Sequence, residues 1–455
     1  MITVETNKND NNLFDFFYCC EATIKYGYHV PIILNLIIKT KKREPYKLRD
    51  LQKLFLTNII NIHSGMIGKM ISNLRYLTSL EELTITNTTI TKLPKEIKHL
   101  NNLMILNVSN CKLKFIPVEI KYLSDLSELI LQNNDIDVLP DELGHLKNLT
   151  FLNLQNNKLQ SFPPFLCLTE LTWLNLNSNK IKSLPKLSKI YSRLKFLFDN
   201  EIEEITEDIC YFAGLRELYI SQNKIHSINN NGIKFLRSLE IFDLSCNQIR
   251  QLPKNIKCLR QLDILDLSNN HITIMPNVIF KIKDLSKLNM SNNNISYVLV
   301  KEIKNMKRLT MLNISDNNIT VLPKEIKFLK KLTTLNVSNN KISVLPKEIK
   351  FLRKLNVLDI SNNNLTVLPK EIKFMINITM LNISHNCLID LPKEMKFLLN
   401  LEYVYLTHNN LITIIKEFKY LKFLKVLNME HNKTQLYLPN DILHPKSVNP
   451  NFYVD

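Results

Sequence analysis

Apolar residues recur along this chain with two superposed periods, and the shorter one marks strands. In LTTLNVSNN, residues 332–340, Leu335 and Val337 alternate with Thr334 and Asn336. A period of two places the aliphatic side chains on one face of an extended segment and the polar ones on the other. The longer period is 23 residues. The pattern LxxLxLxxNxLxxLPxEIxxLxx can be written sixteen times, beginning at Leu80, Leu103, Leu126, Leu149, Leu171, Leu194, Leu215, Leu239, Leu262, Leu285, Leu309, Leu332, Leu355, Ile378, Leu401 and Leu424. Spacings of 22, 21 and 24 occur only between Leu149 and Leu309, so insertions and deletions gather in the middle.

A unit of 23 residues cannot cover its own leucines, whereas stacked copies bury a continuous core. The expected fold is an α/β repeat solenoid, a curved horseshoe. It would carry a parallel β-sheet on the concave face and short helical or irregular segments, around LPKEIKFL, on the convex face. Its apolar letters are expected to face the core. Three regions follow: residues 1–79 as an N-terminal cap holding a degenerate repeat, 80–443 as the sixteen copies, and 444–455 as a short polar tail. The rival for residues 1–79 is a docking module of a ubiquitin-ligase adaptor, with the concave face choosing the substrate.

The repeated letters resemble those of the leucine-rich repeat family, and the LPxEI half resembles its intracellular Ras-group subtype. Departures are few: Thr88 and Cys111 replace the asparagine, and the Leu194 copy is shortened so that Asn200 arrives early. The resemblance implies a protein-binding scaffold, with small GTPases or phosphatases as the partner classes.

Column-by-column comparison separates constant positions from variable ones. The constant asparagine is Asn134, Asn157, Asn179, Asn223, Asn247, Asn270, Asn293, Asn317, Asn340, Asn363, Asn386, Asn409 and Asn432. It follows each strand, where the turning backbone needs partners, and its amide can both donate and accept. A structural ladder is therefore expected. The position before the second strand leucine is variable and largely apolar, although strand alternation points it to solvent. Phe151, Trp173 and Phe196 fall there in successive copies, with Tyr219 two residues later in its own copy. They are expected to form one aromatic strip that anchors a partner. A second cluster combines Tyr403 and Tyr405 with His385, His408 and His431, which occupy equivalent positions in three copies. The histidines fit a metal, a pH-sensitive contact or a solvated ladder.

Charge raises one further possibility and weakens it. The net charge of +17 invites nucleic acid or acidic membranes. Lysines of the KEIK segments supply much of it, but interleaved glutamates reduce the field, and nucleic acid is not the expected partner. Six glycines form neither GxGxxG nor a phosphate loop, and eight cysteines form no CxxC pair. No nucleophile, carboxylate pair or metal motif recurs, so no enzyme activity and no cofactor are expected. The start of the chain lacks a secretory pattern, and the longest apolar run, Val30 to Ile38, is far shorter than the ~20 residues of a membrane span. A monomeric intracellular protein without a membrane span is the expectation.

Overall fold

The computed structural model describes residues 80–161, 168, 170–184, 198–298, 302–413 and 415–433, with the backbone of two further strands, Ile59–Ile60 and Asn451–Tyr453. The chain divides into two compact units, Met1–Ile202 and Glu203–Asp455, and the break falls in the shortened Leu194 copy. Each unit is a solenoid of stacked copies.

The first unit contains a parallel sheet of six strands in sequence order. These are β1 (Ile59–Ile60), β2 (Glu82–Thr86), β3 (Ile105–Asn107), β4 (Glu128–Ile130), β5 (Phe151–Asn153) and β6 (Trp173–Asn175). β1 shows that the parallel pairing begins before residue 80; the rest of the expected cap, and with it any docking module, lies outside the described residues.

The second unit has a short pair, β7 (Glu204–Ile205) with β9 (Ser227–Ile228), and an eleven-stranded parallel sheet. That sheet runs from β8 (Glu217–Tyr219) through β10 (Ile241–Asp243), β11 (Ile264–Asp266), β12 (Lys287–Asn289) and β13 (Met311–Asn313). It continues through β14 (Thr334–Asn336), β15 (Val357–Asp359), β16 (Met380–Asn382), β17 (Tyr403–Tyr405) and β18 (Val426–Asn428) to β19 (Asn451–Tyr453). The tail after residue 443 therefore contributes a strand: Phe452 pairs in register with Leu427, at the place where another copy would put its leucine.

On the opposite side of each sheet the LPKEIKFL segment forms a 3-10 helix, as in Lys324–Phe328, Lys347–Phe351 and Lys370–Phe374. The letters fit that geometry because its hydrogen bonds span three residues. Ile326 N donates to Pro323 O, Leu329 N to Ile326 O and Leu332 N to Leu329 O, and these bonds link buried positions three residues apart. Pro323 starts the helix at φ −71°, the angle its ring imposes. The same period corrects one expectation. Phe328, Phe351, Phe374 and Phe397 are 38–48% exposed instead of facing the core, since they stand two residues after the buried Ile or Met and one before the next buried position.

The asparagine ladder lies in the turn after each strand. Asn340 Oδ1 accepts from Ile319 N of the preceding copy at 2.9 Å. Its Nδ2 lies within 3.0–3.1 Å of the carbonyls of Ile314, Val337 and Ser338. The pattern holds through the shortened copy, where Asn200 accepts from Ile181 N and donates to Leu176 O. In the first copies Cys111 takes over the donor half, its thiol reaching Ser109 O at 3.4 Å and Ile85 O at 3.7 Å beside the Thr88 hydroxyl. The residue before each ladder position has φ between 50° and 57° in sixteen copies, the left-handed region that asparagine tolerates best. Asn87, Asn110, Asn133, Asn156, Asn269, Asn292, Asn339 and Asn362 meet that need.

Candidate functional site

The strand face carries the variable side chains, because alternation turns each leucine inward and its two neighbours outward. In the first unit Phe151 and Trp173 sit in register on β5 and β6. Their rings stack at 4.0 Å between centroids with an interplanar angle of 3°, and both side chains are half-buried. Phe196, the expected third member of the strip, lies outside the described residues. Tyr219 belongs to the second unit, on β8, where it pairs in register with Asp243. Burial, then the carboxylates of Glu217 and Asp243, push its phenol above the usual range.

The remaining tyrosines form a separate place. Tyr403 and Tyr405 both project from the outer face of β17, on either side of the buried Val404. Lys425 Nζ lies 5.7 Å from the Tyr403 ring and 2.6 Å from Glu402 Oε2. Eight strand steps separate β8 from β17, which at about 4.8 Å each is ~38 Å. Tyr219 and Tyr403 therefore cannot serve one small contact. His385 and His408 stack at 4.1 Å between ring centroids, His408 and His431 are tilted by 40° at 4.3 Å, and all three occupy the left-handed turn position. The stack presents its rings side by side, and among the described residues no group of three His, Cys, Asp or Glu side chains converges on a metal position.

Sequence reasoning missed the electrostatics of this face. Among the described residues of the first unit the outward strand positions carry Glu81, Glu82 and Glu128 and no lysine or arginine. In the second they carry Glu217, Glu240, Asp243, Asp263, Asp266, Asp359 and Glu402 against Arg216, Lys287 and Lys425. Two of those cations are already paired, Arg216 with Glu240 and Lys425 with Glu402, each at 2.6 Å. The positive charge lies on the helix side, where residues 324–331 and 347–354 each hold four cations and one glutamate. Assigning charges to columns, instead of to the whole chain, would have revealed this. The first unit's face also holds an orphan acceptor. Asn107 Oδ1, on β3 between Thr84 and Ile130 in register, is shielded from solvent and has no hydrogen-bond partner among the described residues.

Comparison with known proteins agrees with this architecture. A leucine-rich repeat region profile matches residues 195–316 and 294–386, and a leucine rich repeat profile matches 124–181. No curated protein matches the chain. Among solved structures, a leucine-rich repeat protein of Leptospira interrogans is 30% identical with a TM-score of 0.59, over 86% of this chain and 95% of that one. The Arabidopsis receptor kinase HAESA, solved with the peptide hormone IDA and the co-receptor SERK1, is 25% identical with a TM-score of 0.54, over 80% and 67%. An internalin of Listeria monocytogenes shares the fold at 22% identity and a TM-score of 0.53, over 74% and 92%. With its period, its asparagine ladder and its match along nearly the whole Leptospira protein, the chain belongs to the leucine-rich repeat proteins.

Proposed function

We propose that this chain is a non-enzymatic intracellular scaffold that captures a protein partner on its strand face, with Phe151 and Trp173 as anchors. Leucine-rich repeat proteins are typically protein-binding modules, which supports the general role. The observation that carries the site is the stacked, half-buried Phe151–Trp173 pair, flanked on the same face by Glu128, Asn153 and Asn175 and by the apolar Ile105 and Ile130. Aromatic anchors surrounded by polar groups are the usual energetic centres of interfaces. Glu82 and Glu128 are anionic acceptors on the same face, so the complementary partner surface presents cations or N–H donors beside an apolar side chain. The LPxEI resemblance to Ras-group proteins favours a small GTPase or a phosphatase complex as that partner.

The test is capture by the full chain, wild type beside Phe151→Ser/Trp173→Ser, with bound proteins identified by mass spectrometry. Loss of both anchors should weaken capture by roughly tenfold or more, with far-UV circular dichroism unchanged. Undiminished capture removes the site assignment, and a captured set without GTPases or phosphatases removes the partner class.

A further inference from the structure

In the second unit, the residue that closes the 3-10 helix is aromatic in five successive copies: Phe328, Phe351, Phe374, Phe397 and Tyr420. These rings are 38–50% exposed. The lysine before each lies over its ring, at 5.2–5.7 Å from the centroid. In the last three copies a large apolar side chain is also exposed in the turn after the helix: Ile376 52%, Leu399 55% and, one position further along and preceded by Lys422, Phe423 61%. Lys330 and Arg353 occupy the Ile376 position in the two copies before. The first two of these turns lie side by side, since Asn400 Nδ2 donates to Ile376 O at 2.8 Å, and the second and third helices are neighbours in the stack. Phe374, Ile376, Phe397, Leu399, Tyr420 and Phe423 thus form an apolar patch edged by Lys373, Lys396 and Lys419. Glu417 of the third helix is buried, while Glu371 and Glu394 of the first two helices are half-buried, so the cations Lys373, Lys396, Lys419 and Lys422 outnumber the carboxylates two to one even with both counted.

We propose that this patch docks the chain peripherally onto an anionic phospholipid surface. Large apolar side chains left clustered in water indicate an interaction surface. A core of aromatic and aliphatic groups with lysines at its margin matches the bilayer interface. Rings suit the headgroup level and aliphatic tips the acyl boundary, while the ammonium groups extend to the phosphates. Single-stranded nucleic acid fits less well, because Ile376 and Leu399 offer nothing to a base.

Sedimentation of the full chain with vesicles of equal parts phosphatidylserine and phosphatidylcholine, beside vesicles of phosphatidylcholine alone, tests the proposal. Binding to the first and little to the second is expected. The triple variant Ile376→Ser/Leu399→Ser/Phe423→Ser changes only exposed side chains and should raise the lipid needed for half-binding roughly tenfold or more. Replacing Lys373, Lys396 and Lys419 by glutamine should weaken binding by roughly fivefold per lysine. Circular dichroism and the unfolding temperature check each variant, and Leu399→Ser alone replaces the triple if that misfolds. Absence of binding to the phosphatidylserine vesicles overturns the proposal, even where an acidic protein or an RNA is captured instead. Equal binding to both vesicles, or binding unaffected by the serine substitutions, also overturns it.

Discussion

Asn340 uses one side-chain amide to satisfy an amide N–H and three carbonyls in two copies of the repeat. Replacing it by alanine leaves buried backbone groups unpaired and should lower stability by about 2–4 kcal/mol, measured by denaturant unfolding. Asn340→Cys should fall between the two, because Cys111 already shows that a thiol can supply the donor half of the arrangement. A second residue makes a pH prediction. Cys246 stands in the left-handed turn position, where burial first and then the carboxylates of Asp243 and Asp266 push its thiol upward. Its alkylation by iodoacetamide, followed site by site with mass spectrometry, should have a midpoint above that of an ordinary cysteine at about 8.5. Asp243→Asn should bring that midpoint down. The ladder asparagine was legible in the sequence from its spacing. The conformation of its predecessor was not extracted, although the Asn-Asn doublets carried the signal, because Ser178, Gln222, Cys246 and the three histidines interrupt it.

Among the elements, strands were legible and the opposite side was only half so. Period two needs no partner to interpret, whereas LPKEIKFL contains four kinds of apolar residue and its buried subset depends on the turn of the helix. The three-residue bond spacing buries Ile326 and Leu329 and leaves Phe328 outside. Among the described residues one helix departs from the pattern: Asn230–Ile233 is a short α-helix, capped by the Asn229 side chain, which accepts from Asn231 N and Gly232 N. Gly232 is required there by close approach. A Cβ at that position would lie 2.7 Å from both Glu207 O and Ile209 Cγ2. Backbone blocks one side, so Gly232→Ala should destabilise the second unit by about 1–3 kcal/mol, read as a lower unfolding midpoint with the first unit's Trp173 fluorescence as the internal comparison.

Over the whole molecule, the net charge gives a misleading picture of the surface that matters for recognition. A chain of net charge +17 presents strand faces on which, among the described residues, carboxylates outnumber cations, because most lysines of the repeats fall on the helix side. The period revealed the fold; of the aromatic strip, Phe151 and Trp173 stack, Phe196 lies outside the described residues, and the second cluster at Tyr403 stands eight strand steps from Tyr219. Strand number, not residue type, sets those distances, and it emerges only when the copies are counted along a sheet.

The ladder has a further consequence, for the gene. Each ladder asparagine bonds within its own copy and the copy before it, so the turn makes no demand on how many copies precede or follow. Unequal recombination that removed or added one period among the near-identical copies between residues 322 and 378 would rejoin equivalent neighbours and leave every remaining bond with its partner. Length can therefore vary in whole periods under selection, shifting the spacing between binding regions while the folding rules stay unchanged.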